Sequence, residues 1–294
     1  MAECNRSRWD ICDQYCPNCQ EKDRLREKLL EVAGLSELFR VLGDETRTKI
    51  IYLLSEEELC VCDLAELLEF VRALDKAEQF DEVWLIARRL ERLEALASGI
   101  RAKARCISLD LTKEESIAAY AQLLEEHKPQ IAVLVNASGF GKFKAFEEEP
   151  LAVYNEMIDL NAKAVMAMTY VSLPYMERGG RIYEMGSLSA FQPVPYINVY
   201  AATKAFVLSF TRALNAELKG RGIRAMAICP GWVKTEFFNR AMSDSTITYF
   251  NRYYEAKDVV RRALRDMDKG KDVSIVGFPI RAQVFFTKLL PHRL

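Results

Sequence analysis

The 294-residue sequence has no glycine between Gly43 and Gly99. Glycine-rich loops let the backbone approach a phosphate closely, so no such loop lies in that interval. Long apolar runs are also missing, because no stretch approaches the roughly 18 residues that suggest a membrane-spanning helix. Met1 is followed by polar and charged residues, which do not form the apolar segment of a secretory signal. These absences predict a soluble cytoplasmic protein.

Charge is nearly balanced overall, at −1, but the two signs are distributed unevenly. Residues 1–70 carry 9 Lys and Arg against 16 Asp and Glu, a net charge of −7. Residues 71–294 carry 32 against 26, a net charge of +6. A surface that binds nucleic acid must neutralise phosphates with basic side chains. DNA binding by the acidic first part is therefore not expected.

Cysteine is scarce after residue 62, where only Cys106 and Cys229 remain of the eight in the chain. The other six are Cys4, Cys12, Cys16, Cys19, Cys60 and Cys62. In a cytosolic chain, such clustering favours metal ligation over disulfide formation.

The spacing of apolar residues changes near Phe70. Before it, in residues 21–54, apolar positions recur every three or four residues, which predicts helices. After it, short apolar strands alternate with helical stretches, which predicts an α/β fold with a parallel sheet covered on both faces. The predicted strands are residues 83–87, 104–109, 131–135, 181–185, 225–229 and 273–276. The predicted helices are residues 113–126, 151–176, 199–219 and 256–268.

Tyr200 and Lys204 stand four residues apart in a predicted helix, within Tyr-Ala-Ala-Thr-Lys. Positions i and i+4 share one face of a helix, so the phenol and the ammonium should point the same way. A phenol titrates near 10, and a nearby cation lowers its pKa towards neutrality. This pair is therefore a candidate for proton transfer.

Polar residues also follow three of the predicted strands. Asn136-Ala-Ser-Gly139 comes after strand 131–135, Ser187 after strand 181–185, and Pro230-Gly-Trp-Val-Lys-Thr235 after strand 225–229. Asn161 lies in the helix that follows Asn136. Open α/β sheets bind ligands at the carboxyl ends of their strands, so these residues are candidates for one site.

In the order and spacing of these motifs, residues 70–294 resemble the short-chain dehydrogenase/reductase family over nearly their whole length. The resemblance implies a Rossmann-like doubly wound parallel sheet and NAD(P)-linked interconversion of a small-molecule carbonyl and alcohol. It implies that Tyr200 is the general acid/base, and that Lys204 lowers its pKa and holds the nicotinamide ribose. Ser187 would orient the substrate, and Asn161 would anchor a water in the proton relay. The implied cofactor contacts are Asp110, Asn136, Gly139, Tyr200, Lys204, Pro230, Gly231 and Thr235.

Arg88 ends the first predicted strand, within Leu-Ile-Ala-Arg-Arg. In the family that this part resembles, NAD-preferring members carry an acidic residue there to bind the ribose diol. An arginine suits a 2′-phosphate instead, so NADP(H) is predicted over NAD(H).

The same resemblance shows what the chain lacks. The family begins with a strand and a Thr-Gly-x-x-x-Gly-x-Gly turn, whereas this chain matches only from Glu69-Phe-Val-Arg-Ala-Leu onward. The missing strand would lie centrally, between strands 83–87 and 131–135. Residues 49–54 (Lys-Ile-Ile-Tyr-Leu-Leu) are compatible with a strand, but the acidic Ser-Glu-Glu-Glu after them would repel a pyrophosphate. Weak or absent turnover is therefore expected.

Residues 35–50 and 58–64 resemble the ArsR/SmtB family of metal-responsive repressors. That resemblance implies a soft-metal site formed by Cys12, Cys16, Cys60 and Cys62, and four thiolates suit Cd²⁺, Pb²⁺ or Zn²⁺. An alternative set replaces Cys12 with Cys19, and unliganded thiols are a third possibility. The recognition helix and wing of that family do not follow, so operator binding is not expected.

The sequence thus predicts two parts. Residues 1–69 form a small, Cys-rich helical segment of truncated ArsR type, and residues 70–294 form an N-terminally truncated reductase domain. The favoured function is NADP(H)-linked oxidoreduction. The alternatives are a fragment of a metal-responsive transcriptional regulator and an inactive fusion of the two. A homo-oligomer that forms through the surface around residues 151–176 is a further hypothesis.

Overall fold

The computed structural model describes residues 69, 70, 73, 80–233 and 253–289, without the side chains of residues 288 and 289. The strands are β1 (Glu82–Ala87), β2 (Lys103–Ser108), β3 (Ile131–Asn136), β4 (Met176–Met185), β5 (Arg224–Ile228), β6 (Trp232–Val233), β7 (Tyr253–Tyr254) and β8 (Val273–Ser274). The α-helices are α1 (Leu90–Ala97), α2 (Glu114–His127), α3 (Leu151–Ile158), α4 (Val165–Ser172), α5 (Asn198–Glu217), α6 (Ala256–Asp268) and α7 (Phe278–Leu289). Strands and helices alternate, which confirms the predicted α/β class.

The described strands pair into three sheets, of which the pair β6–β7 is the smallest. β1 pairs with β2, from Glu82 opposite Lys103 to Ala87 opposite Ser108. The main sheet has the order β3-β4-β5-β8, and all its pairs are parallel. Within the described ranges, no strand pairs with the second edge of β1 or of β3. The predicted parallel, Rossmann-like sheet is therefore confirmed, whereas the absence of its first strand stays a prediction, because residues 49–54 lie outside the described residues.

Helices cover both faces of the main sheet, and β4 shows how. Successive side chains of a strand point to opposite faces. Ile182 packs in the cluster that includes Leu214 of α5, whereas its neighbour Tyr183 packs on the other face with Val260 of α6. Phe70, which is fully buried and helical, joins this second cluster with its ring 5.2 Å from that of Tyr183. The two layers bury β4 on both sides.

The helix predicted for residues 151–176 is interrupted. α3 is followed by a π-helical segment, Asp159–Ala164, then by α4 and a 3₁₀ turn, Leu173–Tyr175. Leu173, the residue before Pro174, keeps helical backbone angles of φ −57° and ψ −36°. The helical stretch therefore continues through the 3₁₀ turn and ends where Met176 becomes extended, with φ −98° and ψ 132°. Residue 176 accordingly begins β4.

None of the described helices is long and apolar enough to cross a membrane. All the described residues belong to one unit, Cys60–Leu294, of the two into which the chain divides. The predicted domain boundary between residues 69 and 70 stays a prediction.

A charged cluster joins α6 to β8. Asp266 is 2% exposed and accepts hydrogen bonds from Arg262 Nε (2.7 Å), Lys271 Nζ (2.8 Å) and Ser274 Oγ (3.0 Å). Burial by itself would raise the pKa of Asp266, but these hydrogen bonds outweigh it and hold the pKa below its ordinary value of 3.8. The ionised carboxylate therefore stabilises the fold.

We expect Asp266→Asn to lower the free energy of unfolding by about 1–3 kcal/mol, because charge-assisted hydrogen bonds are lost. Asp258→Asn is the matched control on α6, since the exposed pair of Asp258 with Arg261 contributes less than about 1 kcal/mol. A depressed pKa means that the contribution of Asp266 is present above pH 3.8 and is lost as pH falls through the folded-state value. Urea unfolding at pH 7 and at pH 3 measures both effects, and equal losses in the two variants at pH 7 would contradict the assignment.

Candidate active site

Tyr200 and Lys204 lie together near the start of α5. The Lys204 Nζ is 5.6 Å from the centre of the Tyr200 ring. Lys204 is 4% exposed, and its Nζ donates a 2.8 Å hydrogen bond to the carbonyl of Met185, the last residue of β4. A buried ammonium held by a carbonyl beside a phenol is an arrangement that can transfer a proton.

Asn161 lies in the π-helical segment and is fully buried. Its amide bonds twice to the backbone of Phe140, with Nδ2 donating to the carbonyl at 2.8 Å and Oδ1 accepting from the amide at 2.9 Å. Nδ2 is also 3.2 Å from Thr203 Oγ1, and that hydroxyl donates to the carbonyl of Tyr200 at 2.7 Å. π-Helical turns are frequent at functional sites. Here the turn connects the loop after β3 to the first turns of α5.

Gly139 allows this loop to approach the buried polar groups. A Cβ at this position would lie 2.8 Å from Asn161 Oδ1 and 3.1 Å from Lys204 Nζ. Any side chain would therefore displace one or both groups. The close approach explains why glycine is needed between β3 and the helix that carries Asn161.

The loops after β4 and β5 meet beside these residues. Ser187 Oγ accepts hydrogen bonds from the backbone and the hydroxyl of Ser189, at 3.2 and 3.0 Å. The amide of Leu188 donates to the carbonyl of Pro230 at 2.8 Å. A Cβ on Gly231 would touch Ile280 of α7, 2.6 Å away, so α7 packs over this loop.

The predicted cofactor residues Arg88, Asp110 and Asn136 line one cavity of about 630 Å³ between β1 and β3. Arg88 and Asp110 follow the two strands of the small sheet, and Asn136 ends β3 across the cavity. Cavities of 300–1,000 Å³ are typical of small-molecule and cofactor sites. Tyr200, Lys204 and Ser187 do not line this cavity. The catalytic candidates are therefore separated from it by Asn136 and the loop that contains Gly139.

Two of these cavity residues have partners within the protein. Arg88 Nη1 lies 3.4 Å from Glu156 Oε1 of α3, and both side chains are more than one-third exposed. Asp110 Oδ1 accepts from the backbone and the hydroxyl of Thr112, at 3.1 and 2.7 Å. An exposed ion pair is weak, so the Arg88 guanidinium remains accessible to a stronger anion.

A buried carboxyl that the sequence analysis did not select lies behind Asn136. Glu184 of β4 is fully buried, and its Oε1 is 3.1 Å from Asn136 Nδ2 and 2.8 Å from Thr169 Oγ1. Burial raises the pKa of Glu184 to about 8, although the hydrogen bonds of Thr169 and Asn136 and the charge of Lys204 lower it. An acidic residue inside the apolar stretch Arg-Ile-Tyr-Glu-Met was the signal that could have found it.

Other candidate residues lie outside the described residues. These are Thr235 and the predicted metal ligands Cys12, Cys16, Cys60 and Cys62, with the alternative Cys19. The described part of the chain contains no cluster of three or more His, Cys, Asp or Glu that could hold a metal ion. Metal binding therefore stays a prediction.

Comparison with protein families gives two matches. A family model described as short chain dehydrogenase matches residues 68–246, which confirms the predicted resemblance and its start near residue 70. A model of the arsR family of bacterial regulatory proteins matches residues 44–72, which include Cys60 and Cys62.

Individual proteins agree with the first match. An uncharacterised oxidoreductase of Staphylococcus epidermidis is 26% identical over 207 residues, which make up 70% of this chain and 88% of the relative. Serine 3-dehydrogenase of Rhizobium radiobacter is 34% identical over 152 residues, which make up 51% of this chain and 61% of the relative. Among solved structures, a short-chain dehydrogenase from Sphingobium yanoikuyae in complex with NADPH has a TM-score of 0.66 at 26% identity, covering 76% of this chain and 89% of that chain.

We expect Gly139→Ala to lower the free energy of unfolding by about 1–3 kcal/mol, because the new methyl group overpacks against Asn161 and Lys204. Gly220→Ala is the control, since a Cβ there would meet no atom within 4 Å. It should change stability by no more than about 0.5 kcal/mol. Urea unfolding measures both variants, and an unchanged Gly139→Ala midpoint would show that the loop does not pack as described.

Proposed function

This chain belongs to the short-chain dehydrogenase family and is an oxidoreductase of that type, and we propose that it uses NADP(H) to interconvert a small-molecule carbonyl and alcohol. The proposal rests on one observation. Tyr200 and Lys204 lie together near the start of α5, Asn161 is linked to the same turns through Thr203, and Ser187 lies on the neighbouring loop. A nicotinamide cofactor, when bound, supplies or accepts the hydride.

The proposed roles follow from the contacts. Tyr200 donates its phenolic proton to the carbonyl oxygen during reduction and takes a proton from the alcohol during oxidation. The Lys204 ammonium, held by the Met185 carbonyl, stabilises the phenolate that remains. Ser187 offers a hydroxyl to the substrate oxygen. Asn161, fixed on the Phe140 backbone, keeps the first turns of α5 in place.

Support for NADP(H) comes from the cavity. Arg88 follows the carboxyl end of β1 and lines the cavity. Its exposed guanidinium can exchange Glu156 for a 2′-phosphate, to which it can donate two hydrogen bonds. The Sphingobium relative binds NADPH. The chain has no glycine loop for the pyrophosphate, since residues 44–98 contain no glycine. We therefore propose that cofactor binding is weak and that turnover is impaired.

Titration of the purified full-length chain with NADPH, followed by cofactor fluorescence, tests this proposal. We expect saturable binding that is weaker for NADH, and slow reduction of a test carbonyl. Tyr200→Phe should lower turnover by about 10²–10⁴-fold, because the phenol acts in proton transfer, and should weaken NADPH binding far less than it lowers turnover. Arg88→Ala should remove the difference between NADPH and NADH.

Two results would contradict these assignments. If neither NADPH nor NADH binds up to millimolar concentration, the chain is an inactive member of its family. If NADPH binds but Tyr200→Phe reduces the carbonyl as fast as the unchanged protein, then Tyr200 is not the proton donor.

We also propose that the chain forms a homo-oligomer through the α3–α4 surface, defined by Leu151, Ile158, Met166 and Tyr170. These apolar side chains are 71%, 45%, 43% and 79% exposed. Contiguous exposed apolar surface is typical of protein–protein interfaces. The positions recur at near-helical spacing along consecutive helical segments, which places them on one side.

The variant Met166→Lys/Tyr170→Lys should shift the protein to monomers, because two like charges four residues apart cannot pair with each other and an interface core does not accommodate unpaired charges. Phe278→Lys is the control, since Phe278 is 75% exposed on α7, outside this surface. Light scattering after size-exclusion chromatography gives the mass of each. A monomeric unchanged protein at micromolar concentration would rule out the oligomer.

A further inference from the structure

Three polar side chains meet beneath the cavity, each from a different element. They are Asn136 at the end of β3, Thr169 on α4 and Glu184 on β4, and all three are at least nine-tenths buried. Asn136 Nδ2 is within hydrogen-bond distance of Thr169 Oγ1 (2.9 Å) and of Glu184 Oε1 (3.1 Å). We call this group the Asn136–Thr169–Glu184 cluster.

The Thr169 hydroxyl has more oxygen neighbours than it has hydrogens to donate. Its Oγ1 is 2.8 Å from the carbonyl oxygen of Val165 and 2.8 Å from Glu184 Oε1. A hydroxyl has one hydrogen, and a carbonyl oxygen can only accept. If that hydrogen goes to Val165, the contact with Glu184 requires a second hydrogen, and the carboxyl group must supply it.

A protonated Glu184 satisfies this cluster. Its O–H donates to Thr169, Thr169 donates to the Val165 carbonyl, and both Asn136 amide hydrogens point inward. The second carboxyl oxygen, Oε2, is buried without a hydrogen-bond partner among the described residues. A buried carboxylate with an unsatisfied oxygen is costly, whereas a neutral carboxyl is less so.

The arrangement determines which way the Asn136 amide faces. Both hydrogen bonds of this side chain use Nδ2, and none in the described part of the chain uses Oδ1. Asn136 also lines the cavity between β1 and β3. With Nδ2 held inward, Oδ1 is the atom left to face the cavity.

We propose that Glu184 is a positioning residue that carries a proton in the folded protein at neutral pH and, together with Thr169, holds Asn136 with its amide oxygen towards the cavity. The cluster thereby presents a hydrogen-bond acceptor to a bound cofactor or substrate. The consequence for ligand binding rests on the proposed function, whereas the protonation state and the amide orientation do not.

Ionisation of Glu184 alters the cluster. The carboxylate can only accept, so the Thr169 hydrogen must turn from Val165 to Glu184. Burial raises the pKa of Glu184 to about 8, which puts this change in the pH 7–9 range. The charged side chain that acts on Glu184 from the packed elements is Lys204 of α5, and β3 and α4 contribute the neutral Asn136 and Thr169.

The test follows the side-chain amide of Asn136 by ¹⁵N NMR of the full chain between pH 6 and 9.5, with the signal assigned by its loss in Asn136→Asp. We expect its shifts to titrate with a midpoint near pH 8, the folded-state value for Glu184. Asn215, whose Oδ1 accepts from the Ala225 amide at 2.9 Å outside the cluster, is the internal control and should not follow this titration.

Two variants make the test specific. Glu184→Gln is neutral and keeps both a donor and an acceptor, so the titration should disappear while the Asn136 signal keeps its low-pH position. Thr169→Val removes a hydrogen bond that lowers the pKa of Glu184, so the midpoint should move to higher pH. A purely structural carboxylate would give neither result.

Three outcomes would overturn the proposal: an Asn136 signal that does not change, a midpoint below pH 7, or a titration that persists in Glu184→Gln. If NADPH binds, Glu184→Leu should weaken it about three- to tenfold while Glu184→Gln should not. Absence of NADPH binding would contradict only the proposed function, because the NMR titration needs no ligand.

Discussion

Parallel pairing of β3, β4 and β5 brings the carboxyl ends of three strands to one edge of the main sheet. Asn136 ends β3, Ser187 and Pro230 follow β4 and β5, and the carbonyl of Met185 at the end of β4 holds Lys204. Pairing fixes the height of each strand relative to its neighbours, since Asn136 lies opposite Glu184 in the register of β3 and β4. The positions of the candidate catalytic groups depend on this alignment.

The small sheet formed by β1 and β2, whose strands precede the predicted cofactor residues Arg88 and Asp110, is held in place by packing and not by strand pairing with β3 in the described part of the chain. Arg88 and Asp110 follow the two strands of the small sheet, which shares no hydrogen-bond ladder with β3 in the described part of the chain. Packing connects the two sheets instead: Trp84 and Ile86 of β1 join Met168 of α4 in one apolar cluster. Apolar contacts are non-directional. These apolar contacts hold β1 against α4 where no shared hydrogen-bond ladder is present in the described part of the chain.

Buried polar groups then set the chemistry at the junction. Asn161 and Lys204 are nearly or fully buried, and each is bonded to backbone atoms. Low local polarity makes such bonds strong and makes any unsatisfied group costly. Glu184 is also buried, and because one of its carboxyl oxygens has no hydrogen-bond partner among the described residues, burial favours its neutral form. The need of each buried polar group for a hydrogen-bond partner, more than net charge, therefore determines how the side chains lie at the carboxyl ends of β3 and β4.

Local patterns in the sequence were sufficient to predict many of the strands, helices and candidate site residues. Helix periodicity alone was enough to place Tyr200 and Lys204 on one face, since they are four residues apart. Strand periodicity alone was enough to identify the polar residues that come at the ends of apolar strands. The resemblance to the family begins only at Glu69, and this start, together with the absence of glycine between Gly43 and Gly99, predicted a sheet without its first strand. The interruption of helix 151–176 was not predicted, since a π-helical turn stabilised by Asn161 and the Phe140 backbone depends on a partner 21 residues away.

The sequence by itself thus determined the α/β class, the order of the elements and the identity of the residues at the strand ends, because these follow from short-range periodicity and spacing. Only the tertiary structure decided which of those residues share a cavity and that Glu184 meets Asn136 and Thr169. It also decided that Gly139 touches Asn161 and Lys204. Such contacts join residues from separate elements, and their distances depend on how helices and strands pack, which a linear pattern does not contain.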